Sequence, residues 1–214
     1  MTETKDLGQQ LGAPLMIYQA RYEKLDPSEV TLRTGVPFDA EQRAFTLTVL
    51  GHTVSASWPE FMLTPADFDA CPRALYTGEA LILVIRYLIE GVRADSGGGW
   101  LPYRELPWGE VYDRNFQGRC VKRLAYGFGQ KLDVFASACE KLGGVLHPKG
   151  DVSYDLEFVP GVTVRLLLWA GDDEFPPQSQ WLFSDNTPLA FSAEDVAVIG
   201  DTVIGALKEV AKKG

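Results

Sequence analysis

A chain of 214 residues with 46% hydrophobic and 23% charged residues is long enough to bury a sizeable core, and its composition is that of a globular protein. A net charge of −9 and an isoelectric point near 4.8 oppose contact with phosphate backbones, which excludes nucleic acid as a partner. The start, MTETKDLGQQLG, lacks the basic and apolar regions of a signal peptide, and the most apolar run, Ala80 to Ile89, contains Arg86 and is about half the roughly 20 residues of a bilayer span. Cys71, Cys120 and Cys139 form neither a close pair nor a disulfide framework, which fits a reducing compartment. We read a cytoplasmic chain without a membrane segment, one α+β domain over 1–214 with residues 1–12 as a flexible tail.

Leu15, Tyr18, Tyr22 and Leu25 recur at helical spacing and predict a helix over Ala13 to Leu25. Asp26-Pro27-Ser28-Glu29 restarts a helix, with Asp26 as cap, Pro27 in the first turn and Glu29 closing a reciprocal cap; Gly35 and Pro37 stop it. The alternation in Ala44 to Leu50, the turn at Gly51-His52 and the run Thr53 to Trp58 predict a hairpin. Thr77 to Glu90 is apolar around most of its circumference and predicts a buried helix. Ser96-Gly97-Gly98-Gly99 is the most flexible stretch by composition and reads as a short exposed connection.

Leu101 to Leu106 predicts a short strand. Pro107 then opens a helix with Trp108, Val111, Tyr112 and Phe116 on one side, and helical pattern continues from Val121 to Leu142, ending at Gly143-Gly144. Val152 to Phe158 alternates strictly and turns at Pro160-Gly161 into Val162 to Trp169. Keeping both apolar sets on one face places Phe158 opposite Val164 across a three-residue loop, and Glu157 opposite Arg165. Leu167 and Trp169 break the alternation, so the second strand is expected to be covered on both faces. Trp181 to Ser184 forms a third strand, and Ser192 caps a last helix with Val196, Ile199, Val203, Leu207 and Val210 inward. The fold expected is α+β: an antiparallel sheet from the C-terminal hairpin, the third strand and the N-terminal hairpin, packed with several helices.

Two segments, Trp100 to Cys120 and Trp169 to Asn186, hold four of the five tryptophans together with clustered Glu, Asp and Arg. Loops of that make-up are where function concentrates. Arg104, Glu105, Arg114, Asn115, Asp172 and Glu174 supply donors and acceptors for a small polar ligand, with Trp108 and Trp169 as apolar walls. Against this stand bland readings: a solvated acidic turn at Asp172 to Glu174, a packed stripe at Trp108, Tyr112 and Phe116, and a surface pair between Glu110 and Arg114. Cys120 lies between Arg119 and Lys122-Arg123, and that positive charge marks it as the reactive thiol candidate, against a buried structural role. The two histidines and scattered cysteines offer no metal set, and no nucleophile elbow or phosphate loop is present, so no catalytic residues are assigned.

Arg104-Glu105-Leu106-Pro107, Tyr112, Arg114-Asn115-Phe116, Arg119-Cys120 and Phe128-Gly129, followed by Trp169, Gly171-Asp172, Glu174-Phe175-Pro176 and Leu182-Phe183, resemble the prokaryotic family described as domain of unknown function 3786, from about Ile17 to Leu207. The resemblance implies an anaerobic context and frequent fusion to a small cysteine-rich domain that binds an iron–sulfur cluster. This chain carries no such segment, so an iron–sulfur or corrinoid cofactor would sit on a partner redox protein. The leading expectation is an accessory or binding domain serving such a system. One alternative is an enzyme acting on a small anionic substrate with Glu105 or Asp172 as general base and Arg114 or Arg119 holding the anion. Another is a protein-interaction domain with exposed aromatics.

Overall fold

The computed structural model describes residues 12–213, so all but one residue of the tail expected over 1–12 lies outside the described residues. Helix α1 (Gly12–Tyr22) leads into α2 (Pro27–Thr34), whose cap Asp26 accepts from the Ser28 N–H at 2.7 Å. The reciprocal bond expected from Glu29 does not form; Gly35, at φ 70°, ends the helix by donating to Thr31.

Four short strands follow, β1 (Phe38–Asp39), β2 (Ala44–Val49), β3 (His52–Ser57) and β4 (Leu63–Pro65), paired antiparallel in that order. The β2–β3 hairpin pairs Val49 with His52 and buries Phe45, Leu47 and Val49. Helix α3 (Glu79–Glu90) then buries Ala80, Leu83, Val84, Ile85, Tyr87 and Leu88, as a helix apolar on most faces must.

The second antiparallel sheet has five strands, ordered β5-β9-β8-β7-β6. They are β5 (Trp100–Pro102), β6 (Val145–Leu146), β7 (Val152–Val159), β8 (Val162–Trp169) and β9 (Gln178–Ser184). The fold is α+β, with the expected antiparallel strands divided between two sheets. These meet where the Leu50 N–H donates to the Phe158 carbonyl, and residues of both enter one hydrophobic cluster.

The β7–β8 register differs from expectation. A two-residue turn pairs Val159 with Val162, and an irregularity at Phe158 absorbs one residue, so Leu156 faces Val164 and Asp155 faces Arg165. The bulge keeps both apolar sets on one face without a longer loop. Asp155 therefore replaces Glu157 as the partner of Arg165, in a two-pronged pair at 2.6 and 2.7 Å, while Glu157 accepts from the Gly161 N–H. Arg165 also lies 3.7 Å over the Trp100 ring, tying β5 to β8 across β9. Leu166, Leu167 and Leu168 are all buried, as a strand covered on both faces requires.

Between the sheets' strands, the chain runs through α4 (Gly109–Phe116), a π-helical segment Gln117–Lys122 and α5 (Arg123–Phe128), breaks at Gly129, and resumes as α6 (Leu132–Lys141). The helical pattern read over Val121 to Leu142 is divided among the end of the π-helical segment, α5 and α6. The closing elements are α7 (Thr187–Ala190) and α8 (Ala193–Lys212). Ser192 and Asp195 cap α8 reciprocally, and its five expected inward residues are buried. Among the described residues no helix is long and apolar enough to cross a membrane.

Candidate functional site

The first of the two aromatic segments begins as strand β5 and tightens into a 3₁₀ turn, Tyr103–Glu105, where a longer strand was expected. Tyr103 anchors that turn: its ring stacks on Phe116 with centroids 4.0 Å apart, and its hydroxyl donates to the Ala193 carbonyl at 2.8 Å. Leu106 donates to Tyr103 and Gly109 to Leu106, so the backbone coils back on itself. A Cβ at Gly109 would lie 2.0 Å from the Tyr103 carbonyl oxygen, which explains the glycine. The consequence falls on Trp108, which enters α4 with a left-handed backbone, φ 66°.

A bulky residue in that region costs about 1–2 kcal/mol, and a helix start ordinarily takes Ser, Thr, Asp or Asn. Trp108 caps nothing with its side chain and is 79% exposed. The stripe expected at Trp108, Val111, Tyr112 and Phe116 therefore reduces to Phe116 alone; Val111 and Tyr112 are exposed on α4, and Trp108 precedes the helix. Leu106, Pro107, Trp108 and Tyr112 line a cleft of about 270 Å³ together with Pro188 of α7, Phe191 after it and Glu194 at the start of α8.

The two aromatic segments meet through β5 and β9, where Trp100 pairs with Ser184 and Pro102 with Leu182. Beside that junction Arg104 shares a second cleft, of about 140 Å³, with Trp181. Glu105, Arg114 and Asn115 are exposed, and no ion pair joins Glu110 to Arg114 among the described residues.

The acidic turn lies elsewhere. Gly171 donates to the Gly129 carbonyl and accepts from Gln130, so the turn sits at the C-terminal end of the helical run whose opening carries Arg114 and Asn115. Gly129 lies fifteen positions after Arg114, roughly 20 Å along the helical path. Asp172, Glu174 and Trp169 thus gather at one end and Arg114 and Asn115 near the other. Asp172 accepts from the N–H groups of Glu174 and Phe175 at 2.8 and 2.7 Å. The Phe175 and Glu174 N–H groups hold its carboxyl below the ordinary aspartate value, the direction opposite to that of a general base at neutral pH.

Cys120 is fully buried in the π-helical segment, beside Gly200, where an added Cβ would lie 2.4 Å from its sulfur. Burial first, and the Asp201 carboxylate second, push its thiol up to about 12. Arg119 and Arg123 pull the other way but are both ion-paired to Asp201. The candidate reactive thiol is thus a buried one, and two of its three neighbouring cations, Arg119 and Arg123, are ion-paired to an aspartate on α8.

One participant had no signal in the sequence. Asp185, just after β9, accepts from the Ser96 hydroxyl at 2.6 Å and from the N–H groups of Gly97 and Gly99 at 3.1 and 3.0 Å. These bonds hold its carboxyl below the ordinary value, the Ser96 hydroxyl most of all, and fix the glycine-rich connection in place. Among the described residues no three His, Cys, Asp or Glu side chains gather into a metal-binding group.

No curated protein and no solved structure matches this chain. A family model matches residues 26–206, ending within a residue of the resemblance drawn from the loop motifs and starting at Asp26 rather than Ile17. The chain belongs to the family described as domain of unknown function, DUF3786.

Proposed function

We propose that this chain is a non-catalytic binding domain whose contact surface is the cleft between the start of α4 and the start of α8. The observation that carries this reading is Trp108: a large aromatic in a left-handed backbone, 79% exposed, where an asparagine would serve the fold better. Exposed Val111 and Tyr112 extend the apolar surface along α4, and Leu189 continues it beyond Pro188. Exposed aromatics of this kind act as anchors in protein interfaces. Glu194 is the charged residue on the cleft wall and the chain carries −9 overall, so the complementary partner is a protein segment with an apolar anchor flanked by Lys or Arg. The family resemblance supports finding that partner among cytoplasmic iron–sulfur or corrinoid redox proteins of anaerobes.

The test is affinity capture from an anaerobic cell extract, run in parallel with wild type and Trp108→Asn. A partner retained by wild type, released by salt and lost from the variant supports the reading. Equal capture by both proteins contradicts it.

A further inference from the structure

The helical run from Gly109 to Phe128 carries, past its middle, a charge pattern that the Trp108 cleft does not use. Arg119 and Arg123 share the single carboxylate of Asp201, and exposed Lys122 enters no ion pair among the described residues. Glu79 adds a second carboxylate near Arg119 and Lys208 a fourth cation near Gly127, so this stretch is net positive on a chain of −9. At the end of the same run, the Gly171 N–H and the Gln130 side chain fix the acidic turn beside Gly129. Asp172 closes that turn, whereas Asp173 and Glu174 are exposed without an ion pair among the described residues, next to Phe175 at 61% exposure.

Tyr126, 68% exposed, stands between the two charged regions. It comes three positions after Arg123 and three before Gly129, about 4.5 Å along the helix from each. Gly127 follows it. A Cβ there would meet nothing nearer than the Lys208 Cε at 3.8 Å, so packing within the chain does not call for a glycine, which costs about 1 kcal/mol against alanine in a helix. What this glycine provides is uncovered backbone that another helix can approach closely.

We propose that this face binds a second copy of the chain, the two α5 helices lying antiparallel about a twofold axis at Tyr126. The spacing decides the partner: an antiparallel copy reverses the order of charges, bringing Lys122 and Arg123 of each chain onto Asp173 and Glu174 of the other. The two tyrosines and the open backbone at Gly127 form the centre. An unrelated acidic protein would match the basic stretch and leave the acidic turn unmatched; a second copy matches both.

The test is sedimentation velocity of the intact chain over a concentration series. The mass is expected to rise from that of one chain toward that of two, and raising the salt from about 0.05 to 0.5 M is expected to weaken association at least about tenfold. Lys122→Glu and Glu174→Lys, both exposed, are each expected to weaken it at least about tenfold. An equimolar mixture of the two variants is expected to restore it, because each cross-chain contact then joins opposite charges again. Simple repulsion between acidic chains predicts the reverse for Glu174→Lys, which lowers the net charge. A mass that stays at one chain at every concentration overturns the proposal. Association that neither variant weakens overturns the choice of face, and weakening without restoration in the mixture overturns the antiparallel pairing. Trp108→Asn is expected to leave association unchanged, so this result and partner binding at the Trp108 cleft are decided separately.

Discussion

The two aromatic, acidic segments are alike in composition and opposite in how they use it. In Trp169 to Asn186 two of the acids hold backbone: Asp172 closes its own turn and Asp185 holds the glycine-rich connection. In Trp100 to Cys120 the backbone is strained to put Trp108 in solvent, and Arg104 enters no ion pair among the described residues. Charged and aromatic residues thus mark irregular backbone, and only unpaired groups and conformational strain separate a surface kept for a ligand from one that holds the loop together.

The comparison breaks most readily at the turn that presents Trp108. Gly109→Ala drives a Cβ into the Tyr103 carbonyl and is expected to cost about 3 kcal/mol in denaturant unfolding, since backbone cannot yield as a side chain can. A cost below about 1 kcal/mol would mean the turn has room to relax and Trp108 is not forced outward. At the junction of the segments, Asp155→Asn removes the carboxylate from Arg165, whose side chain is 12% exposed, and is expected to cost about 1–2 kcal/mol. An unchanged midpoint would show that Trp100 alone holds the guanidinium.

Thiol labelling sharpens the account of Cys120. Cys71 is shifted up to about 11 and Cys120 to about 12, each by burial first, and Cys139 is raised by burial as well. Native protein at pH 8 is expected to label at least ~10²-fold more slowly than unfolded protein at all three sites. One fast native thiol would restore a reactive cysteine.

The smallest effect expected is a local one. Because the Asp185 carboxyl titrates below its ordinary value when folded, its contribution is complete above about pH 4 and is lost as pH falls through the folded value. Amide exchange at Gly97 and Gly99 should accelerate on acidification below that point beyond the intrinsic pH trend, while core amides keep their protection. Uniform protection across the titration would show that the carboxylate does not hold the connection.

The periodic elements were legible in the sequence. Strict alternation defined β7, and an apolar stripe with a Ser192 cap defined α8, because both depend on side chains a few residues apart. The bulge at Phe158 was not, since alternation specifies which face a residue takes and leaves open how a ladder absorbs an odd residue. Spacing of i, i+4 and i+8 placed Trp108 on a buried stripe, and nothing local announced that the helix begins one residue later. The clustering of Arg104 with Trp181, and of Asp185 with Ser96 and the glycines after it, 86 to 89 positions away, arises from strand pairing that no short-range pattern encodes.

The measurement closest to the central claim is the unfolding free energy of Trp108→Asn beside wild type. Asparagine tolerates the left-handed backbone, so the account predicts a gain of about 0.5–1 kcal/mol, a stability that the wild-type chain forgoes to keep an indole in solvent. A loss of 1 kcal/mol or more would contradict it, because Trp108 would then be part of what holds the fold together.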